Sequence, residues 1–117
     1  MRPYYVLMPM AFAPRHQRYP IFRPMRYEVL LPEGFRTGHG TVTNLSTGGW
    51  RIYGNVPVSV GDVCSLKVRL SVSQWVFVTA GIVRWARGEE YGIETVSMNA
   101  DSQTRLHEYI QQRVKAL

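Results

Sequence analysis

The chain has 117 residues, 45% of them apolar and 19% charged, with 14 lysines and arginines against 8 acidic residues. This length and apolar content support one globular domain with a small core and exclude a disordered tail. The single cysteine, Cys64, excludes an intrachain disulfide and a cysteine-based metal site, and points to a reducing, cytoplasmic setting.

In chain order, the opening "MRPYYVLMPMAFAP" carries Arg2, a short apolar run and the triplet Ala11-Phe12-Ala13, and so imitates a secretion signal. The run is too short for one, Pro9 interrupts it, and Pro14 follows the would-be cleavage point. Residues 1–13 are read as an N-terminal arm that packs or stays loose, and residues 14–117 as a single domain. No segment approaches the ~20 consecutive apolar residues of a membrane-spanning helix.

The next stretch, "PRHQRYPIFRPMR", concentrates positive charge: Arg15, Arg18, Arg23 and Arg26 all precede Glu28, the first acidic residue. Across the whole chain arginine supplies all the basic residues except Lys67 and Lys115. A guanidinium is a flat fork that grips phosphate or guanine through two bonds and stacks on rings, which an ammonium does not. The excess therefore points to a phosphate-bearing or nucleotide partner, although general solubility accounts for arginine equally well.

Five or six strand-like runs follow. "RYEVLL", residues 26–31, closes at the turn Pro32-Glu33-Gly34; "TGHGTVTNL", residues 37–45, and "WRIYG", residues 50–54, come next. Beyond the loop "NVPVSVGD", residues 63–72 alternate Cys64, Leu66, Val68 and Leu70 with Ser65, Lys67 and Arg69, the period of a half-buried strand. Residues 75–87 are long enough to turn a corner, with Gly81 at the bend, and residues 91–96 end the series after Gly88-Glu89-Glu90. The period then changes: Leu106, Ile110, Val114 and Leu117 recur at helical spacing, with Asn99 or Asp101 as the cap. Short strands with frequent turns and one terminal helix predict an all-β fold, a small antiparallel barrel on which an amphipathic helix lies. Strand-helix-strand alternation is missing, which argues against a dinucleotide or P-loop fold.

Catalytic chemistry finds little support. His16, His39 and His107 stand apart with no metal-ligand spacing, and Glu89-Glu90 are two solvated turn carboxylates rather than an acid/base pair. Ser46 lies in "NLSTGG", which is not a G-x-S-x-G elbow. The expectation is a non-enzyme with no catalytic residue, no metal and no bound cofactor.

"NLSTGG", residues 44–49, is the second polar feature. Asn44 offers an amide, Ser46 a hydroxyl, and Gly48 and Gly49 let the backbone approach a ligand with bare N–H groups. In extended chain Asn44 and Ser46 share one face while Leu45 points inward, which predicts a polar shelf on the outside of the sheet. The alternative is a hairpin turn in which both side chains satisfy local backbone groups.

Taken in sequence, "R-x-x-R-Y-P-I", "N-L-S-T-G-G-W-R-I", "G-I-V-R-W", "Y-G-I-E" and a terminal helix resemble the PilZ domain, a bacterial receptor for cyclic di-GMP. The most specific element is Asn/Asp-x-Ser-x-x-Gly, met by Asn44, Ser46 and Gly49. The resemblance, over about residues 14–112, implies a six-stranded antiparallel barrel with a C-terminal helix. It implies arginines before the first strand that grip bases and phosphates, and an Asn and Ser that hold a guanine from the barrel surface. Arg18 falls on the second arginine position; Pro14 occupies the first, with Arg15 one residue late.

The implied function is a cytoplasmic, non-enzymatic cyclic di-GMP receptor in motility or biofilm control. Its arm orders over the barrel on binding and signals to a downstream protein. A second possibility is an adaptor that has lost the nucleotide and works through exposed aromatics, with Trp50, Tyr53 and Trp75 as candidates. A third, single-stranded nucleic acid on a basic barrel, predicts a steep dependence on salt.

Overall fold

The computed structural model describes residues 5–7, 19–46 and 48–115. Seven strands and one helix follow in order: β1 (Tyr5–Leu7), β2 (Tyr19–Leu31), β3 (Gly34–Leu45), β4 (Gly49–Gly54), β5 (Val63–Arg69), β6 (Trp75–Arg87), β7 (Glu90–Asn99) and α1 (Ala100–Lys115). Neighbours run β7-β4-β3-β2-β5-β6, and β6 pairs again with β7, so six antiparallel strands close a barrel. Closure leaves these six strands without an exposed edge to template aggregation. Tyr5–Leu7, within the predicted arm, pairs with residues 97–99 as a short seventh strand outside the closed set.

The inward residues of all six barrel strands form the core, among them Tyr27, Val42, Leu45, Ile52, Leu66, Val68, Val83 and Ile93. Tyr27 is fully buried and needs room on both sides. A Cβ at Gly38 or at Gly54 would come within 2.3 Å of its ring or hydroxyl. Its hydroxyl donates to the Val56 carbonyl at 2.6 Å and accepts from the Val56 N–H at 2.8 Å. The buried phenol is thus hydrogen-bonded, as an interior polar group must be. Burial raises its pKa above the ordinary tyrosine value.

The helix begins where Asn99 Oδ1 accepts the Ser102 N–H at 2.8 Å, so Asn99 rather than Asp101 is the cap. It packs against β6 and β7. Leu106 and Ile110 are buried there, and the Ser102 hydroxyl accepts from the Phe77 N–H at 3.0 Å. Further along, Arg113 donates to the Pro20 carbonyl at 3.3 Å, tying the helix to the start of β2.

Several predicted limits shift. The first barrel strand begins at Tyr19, seven residues before the expected Arg26. Only Met25–Val29 of β2 pair with β5, whereas pairing with β3 reaches back to Tyr19. Pro20 and Pro24 therefore lie where one flank of the strand has no β5 partner, a position that tolerates a missing N–H. The predicted strand 63–72 stops at Arg69, because Leu70 turns out of it to bond Gln74 at 2.8 Å. β6 bends through register shifts between Val78 and Trp85, and Gly81 lies among them, where a Cβ would meet Ile93 Cγ2 at 2.7 Å.

Trp50 is a correction. Expected as an exposed aromatic, it is 1% exposed, and its indole N–H donates to Thr95 Oγ1 at 2.8 Å inside the core. Tyr53 is exposed, Trp75 is half-buried, and the most exposed apolar side chains among the described residues are instead Phe22, Phe35 and Val72.

Candidate functional site

The polar turn sits between β3 and β4, and a bulge orients it. Val42 is paired with Ile52, then Asn44 with Arg51 and Leu45 with Trp50, so Thr43 is the extra residue. Its hydroxyl donates to the Arg51 carbonyl at 3.3 Å. Strict alternation from buried Val42 would turn Asn44 inward and Leu45 outward. The inserted residue resets the phase, so that Leu45 enters the core and Asn44 stands at the surface between exposed Pro20 and Arg51.

Asn44 and Ser46 then part company. Asn44 is half-buried, and its Oδ1 is covered yet has no hydrogen-bond partner, the one such side-chain atom among the described residues. Ser46, expected beside it on an outward shelf, is 2% exposed. The strand has ended by then, and the chain folds in: Ser46 N–H donates to the Gly49 carbonyl at 3.0 Å, and Ser46 Oγ accepts from the Gly48 N–H at 3.2 Å. Ser46 serves the local turn, and Asn44 satisfies nothing local.

The glycines also differ from their expected use. The Gly48 N–H is taken by Ser46, and the Gly48 carbonyl accepts from the Thr95 N–H at 3.1 Å. Gly49 is buried, and a Cβ there would lie 3.0 Å from the Ile93 carbonyl oxygen. The close approach that Gly49 permits is thus to β7.

β2 begins opposite this turn, with Tyr19 facing Leu45 and Pro20 facing Asn44. Arg15 and Arg18 lie outside the described residues, as does His16. Arg23 is half-buried, with its Nε directed at the Tyr109 hydroxyl at 3.4 Å, and Arg26 is exposed beside Glu28.

Arg51 and Trp85 were not singled out from the sequence, and Glu90, expected as a solvated turn carboxylate, instead opens β7 with its side chain 20% exposed. Arg51 is directly opposite Asn44; its Nε meets a Glu90 carboxylate oxygen at 3.2 Å, and its guanidinium carbon lies 5.3 Å from the Trp85 ring centre. "W-R-I-Y" alternates like any strand, so only cross-strand register reveals this neighbour. The single thiol lies elsewhere: Cys64 is buried in β5, and burial, with a smaller contribution from Asp62, pushes it up to about 11. A thiol held protonated in this way is a structural group, not a nucleophile.

The structure is thus a closed six-stranded antiparallel barrel with one C-terminal helix. Residues 14–112 match the model of the PilZ domain, and the chain belongs to that family. PilZ domains are generally non-enzymatic binding domains. Among solved structures, the Bacillus subtilis inhibitor of motility (MotI/DgrA) is similar in fold, with a TM-score of 0.67 at 17% identity. The match covers 86% of this chain and 51% of that one, so this chain spans about half its length. No curated protein matches the chain. Among the described residues, no helix is long and apolar enough to cross a membrane.

Proposed function

We propose that the protein is a non-enzymatic receptor for cyclic di-GMP, with Asn44 holding a guanine edge and the Arg15/Arg18 arm closing over the ligand. The observation that carries this reading is the Asn44 carbonyl oxygen, covered and unpaired at the first position of the Asn-x-Ser-x-x-Gly motif. A buried acceptor without a donor is costly, about 1–3 kcal/mol, and folded proteins retain few of them. Guanine supplies the complement, because its Watson–Crick edge carries adjacent N–H donors where adenine offers an acceptor. Ser46 keeps its own hydroxyl proton to donate, and the two glycines hold the turn low against β7.

The arm joins the barrel at the right place for this closure. Arg18 directly precedes Tyr19, which faces Leu45, and Arg15 lies three residues further out. Two guanidinium groups there meet the base faces and phosphates of the dinucleotide. Ordering of the arm converts ligand binding into a new surface, the disorder-to-order type of switch. The downstream partner is a protein in the cytoplasm. The likeness of fold to an inhibitor of motility favours motility control as the process.

Calorimetric titration of the full chain with cyclic di-GMP, alongside Arg18→Ala and Asn44→Ala, tests the assignment. Each substitution is expected to weaken binding roughly 10- to 100-fold, the loss of one partly desolvated contact. A wild-type signal untouched by either substitution would place the site elsewhere, and no heat at all would favour the adaptor role.

A further inference from the structure

Asn44 belongs to a row that crosses four strands. It pairs with Arg51 on β4, Arg51 pairs with Gly92 on β7, and Gly92 pairs with Trp85 on β6. Residues directly opposite one another share a face of the sheet, and neighbouring strands lie about 4.8 Å apart, so the row runs roughly 14 Å around the outer wall of the barrel. At Gly92 the row has no side chain of its own. The Trp85 indole occupies that space, because a Cβ on Gly92 would sit 2.0 Å from its Nε1 and 2.3 Å from Cε2. The ring thus spans β7 toward Arg51.

Two guanidinium groups flank the indole, Arg51 at 5.3 Å and Arg87 at 5.7 Å from the ring centre. Arg51 is anchored through Nε by Glu90, yet its side chain stays 45% exposed. Guanidinium groups lying over an indole ring present a flat, positively charged surface, which suits a planar aromatic ring next to a phosphate. Indole cover of a strand glycine also steadies a sheet by itself. That role leaves unexplained why a half-exposed arginine, in register with the unpaired Asn44 amide, is held against the same ring.

We propose that Arg51 and Trp85 form a second base platform, which receives the other purine of a cyclic dinucleotide whose first base is held at Asn44. This rests on the reading of Asn44 as a guanine contact. The ligand lies along the row, with one base edge on β3, the ribose-phosphate ring over β4, and the second base on the guanidinium and indole between β4 and β6.

The test uses the full chain and cyclic di-GMP. In a Trp75→Phe background the half-buried indole is Trp85, since Trp50 is in the core. Ligand is expected to quench its emission with the midpoint that calorimetry gives. Arg51→Ala, Arg51→Lys and Trp85→Leu are each expected to weaken binding roughly tenfold, the scale of one base stack. Arg51→Lys is informative because it retains the charge and loses the planar surface. Thermal unfolding of each free variant separates this from sheet stability: a purely structural Trp85 lowers the melting temperature and leaves the affinity of the folded protein and the response to Arg51 unchanged. If Trp85→Leu does not fold, the two Arg51 variants decide. Wild-type binding that Asn44→Ala weakens while the Arg51 variants and the emission do not respond overturns the platform alone. Absence of wild-type binding overturns the guanine reading and the platform with it.

Discussion

Asn44→Ala should stabilise the free protein while weakening the liganded one. In the free barrel the Asn44 carbonyl oxygen is covered and has no donor. An unsatisfied buried acceptor costs about 1–3 kcal/mol, and removing the amide recovers that amount less the lost packing of a half-buried side chain. A net gain of about 1 kcal/mol is expected, which for a domain of this size raises the melting temperature by about 4 °C. With ligand the balance reverses. The guanine donors that met Asn44 are left unpaired, and affinity falls roughly 10- to 100-fold. Paired thermal melts with and without cyclic di-GMP read both effects from one preparation, since ligand stabilises in proportion to the logarithm of its concentration over Kd. A melting temperature that drops in the free variant, with the ligand-induced shift intact, would refute the idea that Asn44 is kept for binding at the expense of the fold.

Two further expectations concern the scaffold. Thr95→Val preserves shape but strands the Trp50 indole N–H in the core, so it should cost about 1–3 kcal/mol in urea unfolding; a loss below about 0.5 kcal/mol would mean that the indole finds another acceptor. The second concerns Cys64, whose thiol is held near 11 in the folded barrel and titrates near its ordinary value of about 8.5–9 when unfolded. The unfolded chain loses this proton first, so the contribution is fully present below about pH 8.5 and is lost as pH climbs toward 11, by about 2–3 kcal/mol in all. Tyr27 and Tyr91, both raised mainly by burial, steepen the loss above pH 10. Urea unfolding at pH 8, 9 and 10 should show the decline, and Cys64→Ala should flatten its first part; an equal slope in both proteins would contradict it.

Much of the fold was legible because alternation and turn residues agree. Residues 63–69 read as a half-buried strand from period alone, and Leu106 and Ile110 announced the helix face. The prolines of "YPIFRPMR" hid the first seven residues of β2, since nothing local reveals which flank of a strand will go unpaired. At the site, the same alternation misplaced Ser46. Period two assumes an unbroken ladder: the bulge at Thr43 leaves no mark in residue types, and the alternation was carried past Leu45, where the strand ends, to Ser46. Trp50 failed for a related reason: a tryptophan beside a polar turn reads as exposed until Thr95, distant in sequence, is seen to accept its N–H. Arg51 is the clearest case of information held only by register. Its partners Asn44, Glu90 and Trp85 come from three other strands.

The measurement that bears most directly on the central claim is a calorimetric comparison of cyclic di-GMP with cyclic di-AMP on the unmodified chain. The two ligands share their phosphates and ribose and differ at the base edge, where guanine offers Asn44 a ring N–H and adenine an acceptor. Binding of cyclic di-GMP, with affinity for cyclic di-AMP at least 100-fold weaker, is the predicted outcome, on the scale that sites built to hydrogen-bond a donor reach when it is missing. Equal binding of the two, or binding of neither, would contradict a guanine-reading receptor.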